Sequence, residues 1–150
     1  MEVEDLLQLL PHRFPFLLVD RIVEMEAGVR ISGVKNVTVD EPFFSSQGSG
    51  EMIMPGLLII EAMAQTGAVL LMVEQAAAKQ KLVYFASLDH ATWQGAVRPG
   101  DQLRLEINVT QARGRLRKVH GVALVGDTVI CEADLAAVVV DKKAASLGLP

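Results

Sequence analysis

The sequence predicts an α+β fold in which one long buried helix, about residues 55–79, is wrapped by an antiparallel sheet of about six strands. Two observations carry this. Leu57, Leu58, Ile59, Ile60, Met63, Leu70, Leu71 and Met72 cover every side of the helical period, and a helix that is apolar all round has to be enclosed by other structure. The second half of the chain then changes period. Leu103-Arg104-Leu105-Glu106-Ile107-Asn108-Val109 alternates strictly, as a strand with one buried face does. With a single long helix available, the layer that encloses it must be the sheet.

The elements follow in order. Glu4 to Leu10 forms a short helix that stops before Pro11, because a proline disfavours helical backbone in the residue ahead of it. Leu17 to Met25 reads as a strand, Gly28 as the turn and Arg30 to Val39 as the returning strand, which Asp40-Glu41-Pro42 ends. Ser45 to Gly50 is a loop of small residues. Pro55 suits the first turn of the long helix, where a missing N–H is no loss. Arg98-Pro99-Gly100-Asp101 places Pro and Gly as a type II turn requires. Gly126-Asp127 joins Val119–Val125 to Thr128–Val140 as a tight hairpin. That gives two strands before the helix and about four after it. A sheet wrapped on one helix keeps open edges, and open edges pair with other chains, so a dimer is expected.

Composition narrows the class. A length of 150 residues fits a single domain, 1–150, and 51% hydrophobic residues supply a core. A net charge of -4 argues against nucleic acid as a partner, since phosphate contacts need clustered cations. The one basic cluster, Arg113, Arg115, Arg117 and Lys118, reads as the solvated end of a hairpin, or else as a docking patch for an acidic carrier. Cys131 is alone and the N-terminus is acidic, which fits a reducing cytoplasm and shows no secretory signal. Leu57 to Val73 is shorter than the roughly 20 apolar residues of a spanning helix and contains Glu61 and Gln65, so it reads as a core helix and no membrane partner is expected. Three scattered histidines and one cysteine have no metal-ligand spacing, and no cofactor is implied.

Glu61 is the only formal charge between Leu57 and Val73, the apolar part of the helix. Burying an unpaired carboxylate costs several kcal/mol. The helix dipole returns only about 0.3–1 kcal/mol near the N-terminus, so a functional role outweighs a structural one. Gln65, one turn on, shares its face and either orients the carboxylate or makes a structural hydrogen bond. Gly56 opens the helix beside Pro55. Its N–H belongs to the unpaired first turn and can hold a carbonyl oxygen on which charge develops, or the glycine simply permits close packing.

Leu10-Pro11-His12-Arg13-Phe14-Pro15-Phe16-Leu17-Leu18-Val19-Asp20-Arg21 resembles the opening motif of the β-hydroxyacyl-acyl carrier protein dehydratases of type II fatty-acid synthesis, Z-type. Lys35-Asn36-Val37-Thr38, Glu41-Pro42-Phe43-Phe44, Met54-Pro55-Gly56, Ile60-Glu61-Ala62-Met63-Ala64-Gln65, Tyr84-Phe85-Ala86 and Val97-Arg98-Pro99-Gly100-Asp101-Gln102-Leu103 continue it in order. The resemblance implies the hot-dog fold, homodimers often assembled as trimers of dimers, and an acyl tunnel at the dimer interface. The implied partner is a 3-hydroxyacyl thioester of acyl carrier protein or coenzyme A. Glu61 and Gly56 take the catalytic positions, with Pro55, Gln65, Tyr84, Phe85 and Trp93 as substrate-binding candidates, although Tyr84 and Trp93 are equally compatible with core.

One segment departs from the family. Its loop reads Gly-His-Phe-Pro-Gly-Arg-Pro, and that His is the base; here Ser46-Gln47-Gly48-Ser49-Gly50-Glu51-Met52 stands instead, with Gln47 at the His position. The spacing from Gln47 to Gly56 and on to Glu61 is kept. An imidazole accepts a proton near neutral pH and an amide does not. General-base catalysis is worth about 10²–10⁴-fold, so the chain alone is expected to be a weak or inactive dehydratase. His12 is expected to be structural, and His90 and His120 to lie on the surface. Three functions compete: a degenerate dehydratase that binds acyl thioesters or pairs with a His-bearing paralogue as a heterodimer; a hot-dog thioesterase using Gln47, Gly56 and Glu61; and a non-catalytic subunit or engineered loop variant.

Overall fold

The computed structural model describes residues 1–45, 50–73 and 81–141. A short helix α1 (Val3–Leu9) leads into β1 (Arg21–Glu26) and β2 (Arg30–Asn36); a 3-10 turn at Pro42–Phe44 precedes the long helix α2 (Gly56–Val73). The strands β3 (Lys81–Trp93), β4 (Gln102–Arg113), β5 (Leu116–Val125) and β6 (Thr128–Asp141) follow, and the six form one sheet ordered β1-β2-β4-β5-β6-β3. All pairs are antiparallel. The sheet curves around α2, which touches β2, β3, β4, β5 and β6.

Helix α2 is long and apolar enough to cross a membrane by length and composition, yet it lies inside the sheet. Met63, Val69, Leu70 and Leu71 are fully buried, and each such side chain contributes about 1.5–3 kcal/mol relative to exposure. The enclosure is incomplete at the first turn, where Leu57 is 70% exposed. Pro55 stands just ahead of the helix, not inside its first turn; its carbonyl accepts the N–H groups of Leu58 at 2.9 Å and Ile59 at 3.3 Å. Residues 74–80, the expected end of this helix, lie outside the described residues.

Several strand limits differ from the sequence-based expectation, and each has a local cause. The first strand begins at Arg21 rather than Leu17 because the Leu18 N–H donates to the Gln65 side chain and the Phe16 carbonyl accepts from it, which takes both groups out of any ladder. The second ends at Asn36 rather than Val39. There the Asn36 N–H donates to Asp20 Oδ2 at 2.6 Å and the Val37 N–H to the Asp101 carbonyl at 2.9 Å. Strand β3 shows no clean alternation, since its register against β6 shifts between Phe85 and Ser87 and again between Asp89 and Thr92. A bulge reverses the inside–outside pattern on which periodicity depends.

The turns follow their residues. Gly100 has φ +98° and the Asp101 N–H donates to the Arg98 carbonyl at 3.0 Å, which is the type II geometry that glycine permits. Arg113 and Arg115 occupy the exposed end of the β4–β5 hairpin. Lys35 Nζ donates to Glu41 Oε1 at 2.6 Å with both side chains largely enclosed, tying the end of β2 to the 3-10 turn. The two edge strands differ. β1 is short and carries Glu24 and Glu26 against Arg30, whereas β3 runs 13 residues with Tyr84, Leu88 and Trp93 exposed.

Candidate functional site

The site is assembled from α2 and the segment that follows α1. Arg13 caps α1: its guanidinium donates to the carbonyls of Leu7 and Leu10, which the helix end leaves unpaired, and to that of His12. This fixes the backbone of residues 10–13. On the other flank, Gln65 is almost fully buried and all its groups are used. Its Oε1 accepts the Leu18 N–H at 2.9 Å, and its Nε2 donates to the Phe16 carbonyl at 2.6 Å and to Glu61 Oε1 at 2.8 Å. Both roles weighed for Gln65 are thus present together, the structural one and the orienting one.

Glu61 is less buried than its apolar neighbours suggest. About a third of its side chain is exposed, and the segment around His12 lies against it. Desolvation of this carboxylate is correspondingly smaller than full burial would impose. What marks Glu61 in the structure is its surroundings. It lines a cavity of about 120 Å³ with His12, Ala64, Ala68, Met72 and Phe85. Small-molecule sites usually enclose about 300–1,000 Å³, so the pocket formed by this chain alone falls well below that range.

The other candidates divide. Phe85 lines the Glu61 cavity, whereas Tyr84 and Trp93 lie outside it, and so do Gly56 and Pro55. Gly56 packs directly on Trp93: a Cβ there would stand 2.4 Å from Nε1 of the indole. Close packing by itself therefore requires glycine at this position. Gln47 lies outside the described residues, as do Ser46, Gly48 and Ser49.

His12 was not expected at the site. Its Nε2 lies 3.3 Å from Glu61 Oε1, and its Nδ1 is buried with no hydrogen-bond partner among the described residues. No periodicity signals this, because the contact joins a loop to a helix almost fifty residues on. The other two histidines sit elsewhere: His120 Nδ1 is 2.8 Å and His90 Nδ1 3.1 Å from the two oxygens of Asp134. The hydrogen bond with His120, followed by that with His90, holds the Asp134 carboxyl below the ordinary carboxylate range. Burial pushes the Cys131 thiol up to about 11, so it stays protonated near neutral pH.

A family model described as the FabA-like domain matches residues 10–134. A relative from Paracidovorax citrulli, named 3-hydroxyacyl-acyl-carrier-protein dehydratase FabZ, is 46% identical over 137 residues, covering 90% of this chain and 94% of that one. One of the same name from Nitratiruptor is 45% identical over 147 residues, covering 95% and 99%. Among solved structures, the dehydratase heterocomplex ApeI:P from Xenorhabdus doucetiae superposes with a TM-score of 0.77 at 20% identity, covering 95% of both chains. A hot-dog-like protein from Thermanaerovibrio acidaminovorans gives 0.69 at 15% identity, covering 81% of this chain and 90% of that one. With the fold matched and the sequence similar across nearly its whole length, this chain belongs to the FabA-like domain family of the hot-dog fold, and its relatives include the FabZ dehydratases.

Proposed function

We propose that the chain binds 3-hydroxyacyl thioesters of acyl carrier protein at the Glu61 cavity and is weak or inactive as a dehydratase on its own. One observation supports the site above the rest: Gln65 holds Glu61 at the mouth of an apolar pocket. Dehydration breaks the C2–H bond, forms the C2=C3 double bond with that electron pair and expels the C3 hydroxyl, which leaves as water after taking a proton. Glu61 is the group we assign to deliver that proton. The proton on C2 needs a base, and Gln47, at the position of the family's His, is an amide that cannot serve. The Gly56 N–H, outside this chain's own Glu61 cavity, is the donor we assign to the thioester oxygen in the pocket that a second chain completes.

A second chain completes the pocket. The exposed edge of β3 presents Tyr84, Leu88 and Trp93, and its first half, at Leu82, Val83 and Phe85, borders the Glu61 cavity. Pairing along this edge in a homodimer, or in a heterodimer with a His-bearing paralogue, covers those side chains and closes the cavity. Mixing the chain with a His-bearing FabZ-type dehydratase and 3-hydroxyacyl-acyl carrier protein tests this. Turnover above that of the dehydratase alone, abolished by Glu61→Gln in this chain, is the expected result. A mixture no more active than the dehydratase alone overturns the heterodimer, and release of free thiol instead of enoyl product would identify a thioesterase.

A further inference from the structure

We propose that His12 is a positioning residue for Glu61, offering its Nε2–H to Oε1 so that Oε2 alone faces the acyl thioester. The proposal rests on the Glu61 cavity being the thioester site. Three features of the structure carry it.

The first is convergence. Glu61 Oε1 accepts from Gln65 Nε2 at 2.8 Å and has His12 Nε2 at 3.3 Å. Among the described residues no donor is placed on Oε2. A carboxylate held through one oxygen presents the other in a fixed direction, and Oε2 is then the oxygen that exchanges a proton with substrate. The contact of 3.3 Å is long for N–H···O, and contacts of this kind in ligand-free sites shorten when substrate is bound.

The second is the tautomer. His12 Nδ1 is buried and has no partner among the described residues. A proton on Nδ1 would be a buried donor with no acceptor, and it would turn the lone pair of Nε2 onto the carboxylate oxygen. A proton on Nε2 still leaves Nδ1 unpaired, as an acceptor, but it removes the repulsion at Oε1. The ring therefore donates toward Glu61.

The third is rigidity. Arg13 ties the carbonyls of Leu7, Leu10 and His12 together at the end of α1. Gln65 anchors Phe16 and Leu18, which follow His12 in the chain. The segment that carries His12 is thus clamped to the helix that carries Glu61, and the distance between ring and carboxylate is set by structure already formed before substrate arrives.

Two measurements test this. Nitrogen-15 spectra of the histidine rings, with His12 assigned by its loss in His12→Gln, should show a proton on Nε2 and a shift of those signals in Glu61→Gln. A proton on Nδ1, or signals that ignore Glu61→Gln, overturns the proposal. The second uses the Gln47→His variant with a crotonyl thioester. His12→Ala should lower kcat about tenfold or more at unchanged KM. His12→Gln, which returns an N–H near the place of Nε2, should recover most of that loss. Equal losses in the two variants make His12 merely structural. Absence of turnover in Gln47→His itself counts against the assigned reaction, and the ring spectra then decide His12 independently.

Discussion

Replacing Gln65 by leucine tests how the segment before β1 is fastened to the central helix. Gln65 is about 1% exposed and makes three hydrogen bonds, to Leu18, Phe16 and Glu61. Leucine fills much of the same volume, so little is lost in packing. The loss falls on the partners. The Leu18 N–H, in a residue 2% exposed, becomes a buried donor without an acceptor, at a cost of about 1–3 kcal/mol. The Phe16 carbonyl and the Glu61 carboxylate are both reached by solvent and recover part of theirs from water. The sum is about 2–4 kcal/mol, a large share of the 5–15 kcal/mol that typically holds a domain folded. Urea unfolding followed by circular dichroism measures it directly. A loss below about 1 kcal/mol would show that residues 16–18 are held by something other than Gln65.

Three further outcomes follow from the same structure. Gly56→Ala should destabilise the chain by about 1–3 kcal/mol through the clash with Trp93. In a double-mutant cycle with Trp93→Ala most of that loss should disappear, and additive losses would place the strain elsewhere. Lys35→Ala strands Glu41 in a largely enclosed position and should cost about 3–5 kcal/mol, whereas replacing both partners by apolar residues of similar volume should cost much less; denaturant midpoints compare them. Asp134 has a folded pKa below its ordinary 3.8, first through His120 and then through His90. Its stabilising contribution is therefore complete above that value and lost as pH falls below it. The stability gap between wild type and Asp134→Asn should shrink as pH falls through about 4 and below, which acid titration of the unfolding free energy would reveal.

The architecture was legible because two periods dominate the sequence. The all-round apolar stretch from Leu57 to Met72 forced an enclosed helix, and the alternation from Leu103 to Val109 forced a half-buried strand that runs on to Arg113. Strand β3 was not, because two register shifts break its alternation. Of the site, Glu61 and Gln65 could be found from one helix face. The placement of Gln65 against Phe16 and Leu18 could not, since a side chain that takes over backbone hydrogen bonds leaves no trace in periodicity. His12 was missed for a related reason: its meeting with Glu61 depends on how Arg13 caps α1 and turns the chain back on α2. Gly56 was identified, but a functional N–H and a packing contact demand the same residue, and the structure shows the packing contact with Trp93.

On the function we propose, Glu61 marks a thioester site whose base is missing at position 47. Hydration of a crotonyl thioester by wild type, Gln47→His and Gln47→His/Glu61→Gln tests it most directly. Near-background rates are expected for wild type, a gain of about 10²–10⁴-fold for Gln47→His, and loss of that gain when Glu61 is also replaced. A wild-type rate that Gln47→His does not raise, or a gain that survives Glu61→Gln, would contradict it.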